Sequence, residues 1–142
     1  MTRRRWSLAA LLIAVAGAGM VTVGTWLPWL TVRPGHDGPV PAIYLPGMNA
    51  GFAGLDWVAL GATAVALVGV APVSVPRVGE TRRALVAILA GGLVATLTIV
   101  YLLSNASFGV FVPDAGFYLT ALGGVHLSVG GALHLYAVAG VD

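Results

Sequence analysis

His126 and His134 are the residues of this chain best equipped for chemistry, and both lie in one apolar run, LGGVHLSVGGALHLYA, at positions 122–137. An imidazole can ligate a metal, relay a proton or satisfy a hydrogen bond. The spacing places both on roughly one side of a helix, with Gly130 between them. It also separates them by about 12 Å along the axis, too far for two nitrogens to hold one metal ion. A haem would need a second histidine from another apolar segment, and none has one; a single-histidine haem, or one shared between subunits, stays open. At mid-membrane depth His126 needs a hydrogen-bond partner, and Thr63, Thr96 and Thr98 are the candidates. His134, about one turn from the far end, can reach the headgroups. Structural hydrogen bonding is the leading reading; the alternative is a polar path in a small transporter or channel, lined by His126, Thr120 and Ser128.

Other reactive groups are sparse. Without cysteine or lysine, thiolate chemistry, Cys-ligated metal, a Schiff base and a Walker-type phosphate loop are all excluded. His36 and Asp37 sit together at a loop tip, two ligands where a metal site wants more, and read as a solvated turn. The apolar segments hold no Asp, Glu or Arg, the groups that mark ion pathways. No nucleophile–base pair or metal set stands out, so neither catalysis nor a cofactor is expected.

The elements that must position these residues follow from composition. The chain has 142 residues, 58% hydrophobic and 8% charged, with mean hydropathy +0.95. A soluble domain carries roughly 25% charge, so the class is an integral membrane protein. Four segments approach the roughly 20 apolar residues that a crossing needs: about 6–27, 57–75, 84–103 and 116–138. Pro72 is placed to kink or stop the second. The reading is one all-α domain, a four-transmembrane-helix bundle with outer loops at 28–56 and 104–115. A rival for the first segment is a secretory signal, with basic Arg3–Arg5 followed by an apolar middle and small Ala14, Ala16 and Ala18.

Arginine placement sets orientation. Arg3, Arg4 and Arg5 precede the first segment, and Arg77, Arg82 and Arg83 lie between the second and third, whereas the opposite side holds only Arg33 against Asp37, Asp56 and Asp114. Both termini are expected in the cytoplasm of a multi-pass protein of the cell membrane. The net charge of +2 rests on these topology determinants and does not indicate nucleic acid.

The first outer loop carries Pro28, Pro34, Pro39, Pro41 and Pro46. Its β-prone runs WLTV and AIYL suggest a short β-hairpin. Trp26, Trp29 and Trp57 flank it as interfacial anchors. In the second loop, Asn105-Ala106-Ser107 matches a glycosylation sequon close to the third segment, and the apolar FGVFV is expected to dip into the interface or cover the first loop.

Helices in lipid associate through small residues that permit close approach. Ala14 and Ala18, Ala62 and Ala66, and Ala87, Gly91 and Ala95 offer such seams, and the last segment aligns Gly116, Thr120, Gly124, Ser128 and Ala132 at four-residue steps.

Two stretches, GTWLPWLTV and PDAGFYLTALGGVHLSVGGAL, resemble a family of small, uncharacterised four-helix prokaryotic membrane proteins of haloarchaeal and actinobacterial type. The last helix of that family opens on a Gly-aromatic-Leu-Thr pattern followed by paired glycines, here Gly116 to Thr120 and then Gly123 and Gly124. The resemblance implies fold and compartment and carries over no site residue. The long loop after the first helix is also similar in plan to claudins, without their cysteine pair. The functional expectation is a non-catalytic accessory or scaffold subunit, contacting lipids and either other membrane subunits or its own copies through the seams and the first outer loop.

Overall fold

The computed structural model describes residues 2–40, 50–106 and 109–140. Within them, helices α1 (Arg3–Trp26), α2 (Leu55–Val70), α3 (Glu80–Ala106) and α4 (Ala115–Val138) alternate with two short strands, β1 (Leu30–Val32) after α1 and β2 (Phe111–Pro113) before α4.

Prolines and caps set the helix ends. A residue before proline is pushed out of the helical region. Leu27 precedes Pro28 and is extended at ψ 156°, which ends α1; Ala71 precedes Pro72 at ψ 147°, which ends α2. Asp114 caps α4, its carboxylate accepting from Ala115 N–H, where negative charge suits the helix dipole. Past the other end of α4, Gly140 takes φ +62°, the left-handed conformation in which helices commonly stop.

At 1.5 Å per residue, α1, α3 and α4 run about 36–40 Å, and these three are long and apolar enough to cross a membrane. Helix α2 has 16 residues, about 24 Å. The segment expected to span 57–75 is thus helical only to Val70, and Pro72 stops it outright.

Small residues point inward and large ones outward. The core is Ala10, Ala14, Ala18, Val21, Ala59, Ala66, Ala87, Val94 and Leu127, while Leu12, Leu89 and Leu103 are 61–72% exposed. Such an arrangement gains little from water expulsion and much from close backbone approach. Helix α4 lies antiparallel between α1 and α3, and α2 leans on α3 and α1. A Cβ on Gly123 would fall 2.7 Å from Gly17 O, and one on Gly124 2.6 Å from Ala95 N.

The five-residue column expected on α4 does not form one seam. Gly116 and Thr120 meet α1 at Gly24, Gly124 and Ser128 meet α3 at Gly91, and Ala132 is exposed. Four-residue steps overshoot a full turn by about 40° each, so the column winds from one neighbour to the other and then outward. The working seam toward α1 mixes steps of three and four: Gly116, Thr120, Gly123, Leu127, Gly130. The seams of the other helices are more local. Ala14, Ala18, Ala66, Ala87 and Gly91 are buried, and Ala62 and Ala95 partly so.

At the end opposite Arg3, Arg4, Arg5, Arg77, Arg82 and Arg83, the segments after α1 and before α4 pair with each other. Leu30–Val32 runs antiparallel to Phe111–Pro113 in register Thr31↔Val112, extended by Arg33 N–H to Val110 O (2.8 Å) and Asp114 N–H to Trp29 O (2.9 Å). The expected partner run AIYL falls outside the described residues; the partner of WLTV is the second loop, whose FGVFV run was expected to cover the first. Trp29 is not a surface anchor. It is buried, donates from Nε1 to Gly24 O at 3.2 Å and meets Tyr101 edge-on. Trp26 and Trp57 are exposed and touch through Phe52. Asn105 is buried, its amide donating to Tyr101 O at 2.7 Å, a poor acceptor for a glycan.

Candidate functional site

At the arginine-bearing end, α1 and α3 begin while α2 and α4 finish. A cavity of about 670 Å³ opens there among Arg3, Arg4 and Ser7 of α1, Glu80 and Arg83 of α3, and His134 of α4. Its apolar wall is Leu8, Leu11, Val70, Val73 and Val138, and Pro72 and Ser74 complete the rim.

Arg83 organises this end. It is 6% exposed. Its Nη2 donates to Val68 O at 2.7 Å and Ala71 O at 2.6 Å, and its Nη1 to Val73 O. The final carbonyls of a helix lack intrahelical donors, and a cation there also meets the negative end of the dipole. One guanidinium therefore caps α2 and holds the turn beyond it. Its Nε–H is buried without a partner among the described residues. Arg3 and Glu80, both largely exposed, pair at 2.6 Å and tie the start of α1 to the start of α3.

His134 is 7% exposed, and both of its ring nitrogens are buried without a protein partner. It lines the cavity. The site thus offers guanidinium, hydroxyl and imidazole donors against a single carboxylate, with apolar surface alongside. Such a donor set can recognise negative charge.

The other residues singled out from the sequence do not join this site. His126 is partly buried, and its Nδ1 lies 2.8 Å from Leu122 O of its own helix. None of the threonines expected to serve it does so: Thr63 and Thr98 donate to carbonyls of their own helices, and Thr96 is exposed. Ser128 donates across to Ile88 O at 3.0 Å. Thr120 is packed on Gly24, its hydroxyl unpaired. Gly124 lies on α3. Thr120, Gly124 and Ser128 are interhelical packing positions. Of the topology determinants, Arg4, Arg5, Arg77 and Arg82 are exposed; Arg77 adopts a left-handed φ of 66°. At the outer loop, His36 N–H closes a turn on Arg33 O at 3.1 Å. Among the described residues no three of His, Asp and Glu gather as a metal site.

Reading Arg83 only as a topology charge missed its structural role. The signal was present: Arg83 heads the same four-residue column as Ala87, Gly91 and Ala95, and so turns inward with them.

No protein-family profile, curated protein or solved structure matches the chain.

Proposed function

We propose that this protein is a four-pass, non-catalytic accessory or scaffold subunit of the cell membrane, with both termini in the cytoplasm and its outer platform as the partner-contact surface. The second crossing is α2 continued by the non-helical residues 71–75. Non-helical backbone is tolerated at membrane depth only where its polar groups are satisfied, and Arg83 supplies that to Ala71 and Val73. The positive-inside rule then places the arginine-bearing end in the cytoplasm. The reading keeps company with the family resemblance of the GTWLPWLTV and PDAGFYLTALGGVHLSVGGAL stretches.

The observation that carries the partner role is the pairing of β1 with β2. It makes one fixed platform of two loops that could each have wandered, with Thr31 exposed and Val112 half-buried opposite each other on one face of it. The seams are a weaker place for partners, because their glycines already face neighbouring helices inside the bundle. A photo-crosslinking amino acid at Thr31 or Val112, tested in cells of the source organism, is expected to give one discrete protein adduct, or a dimer of the chain, while the same probe at lipid-facing Leu89 gives none. Adducts from Leu89 alone, or from no position, would refute the reading.

A further inference from the structure

The cavity at the arginine-bearing end goes unused in the scaffold reading, yet it is built for a ligand. His134 and Arg83 are both more than nine-tenths buried, line the cavity, and keep polar nitrogens with no protein partner: both ring nitrogens of His134 and Nε of Arg83. Most buried side-chain polar groups are hydrogen-bonded, whereas these three atoms have no partner among the described residues. Among the described residues Arg4, at the rim, pairs with no carboxylate, since Glu80 is taken by Arg3. Ser7 and Ser74 add hydroxyls. The positive ends of α1 and α3 lie at this end, and Thr2, the N-cap of α1, makes no side-chain cap bond. Of the two negative ends here, that of α2 is masked by Arg83, and that of α4 lies at the same end.

We propose that this cavity binds a phosphate group, with the donors of Arg4, Arg83 Nε and His134 around its oxygens. About 670 Å³ lies within the usual range for ligand cavities, and far exceeds one phosphate. The excess is walled by Leu8, Leu11, Val70 and Val73, of which Leu8 and Val73 are exposed on the outer surface. An acyl chain attached to the phosphate has a path along them into hydrocarbon. The same donors would accept either an anionic phospholipid headgroup or free phosphate, and basic pockets between membrane helices are known sites for the former.

The test uses the full chain in a nonionic detergent. Native mass spectrometry follows adducts with dioleoyl-phosphatidylglycerol or dioleoyl-phosphatidylcholine, and calorimetry follows inorganic phosphate. The anionic lipid is expected to bind in preference to the zwitterionic one, with Arg4→Gln and His134→Leu each weakening it about fivefold, the loss of one charged or buried donor. Arg82→Gln, the same charge change at the same end but outside the cavity, is expected to leave it within about twofold. Arg4 is exposed, so its variant does not depend on the core; unchanged helicity by circular dichroism qualifies the His134 variant. Lipid adducts that inorganic phosphate displaces assign the headgroup as ligand. Calorimetric binding of phosphate, sensitive to Arg4→Gln, without lipid adducts assigns the free anion. Equal binding of both lipids with no phosphate heat would overturn the proposal, as would an Arg82→Gln loss as large as that of Arg4→Gln.

Discussion

Replacing Arg83 with alanine removes three hydrogen bonds at once, to Val68, Ala71 and Val73. A hydrogen bond to a charged group contributes about 1.5–3 kcal/mol net. The three share one guanidinium whose burial is itself costly, so they do not add in full. Removing one partner of a buried charged contact typically costs about 3–5 kcal/mol, and the lower half of that range is expected, because water can reach part of the exposed link. For a chain of this size each kcal/mol moves a melting midpoint by about 3 °C, which puts Arg83→Ala about 10 °C below wild type. Arg83→Lys retains the charge but offers a compact ammonium in place of a planar fork, and should recover less than half of the loss. The assay is fluorescence-detected thermal shift of purified protein in detergent, with both variants and wild type at matched concentration. An Arg83→Ala midpoint within about 2 °C of wild type would show that the guanidinium does not fasten the end of α2. The account of the second crossing would fall with it.

Two further outcomes test the packing and the outer platform. Gly24→Ala puts a methyl group 2.6 Å from Thr120 N and should destabilise by about 1–3 kcal/mol through overpacking, whereas Gly19→Ala, with nothing within 4 Å, should stabilise by about 0.5–1 kcal/mol through helix propensity; thermal shift of the two single variants separates them by sign. Thr31→Cys with Val112→Cys should form a disulfide under mild oxidation, read as a mobility shift on non-reducing gels. The chain has no other cysteine, and directly opposed residues of an antiparallel pair lie at about the Cα separation a disulfide prefers.

Much of the architecture was legible in order and composition. Helix periodicity does not show in segments that are apolar all round, yet apolar length located α1, α3 and α4 within a few residues, and Pro72 marked the end of α2, since proline acts through local sterics. The inward face was harder. A column of Gly and Ser at four-residue steps looked like one seam on α4, but helical pitch carried Gly116 toward α1 and Gly124 toward α3. The pairing of Leu30–Val32 with Phe111–Pro113 joins segments some eighty residues apart, and no local rule chooses between that partner and a nearer one.

The candidate site followed the same division. Composition and the arginine clusters, read through the cost of placing charge in hydrocarbon, determined that the chain is built of apolar helices with its cations gathered at one end. Hydropathy and charge are sums over residues, so order alone suffices to read them. That Arg83 turns inward to cap α2, that His134 meets Arg3 and Arg4 around one cavity, and that His126 is satisfied by its own helix were decided only by the tertiary structure. Each depends on the distance between groups far apart in the chain, and helix rotation and crossing set those distances through close packing of backbone on backbone.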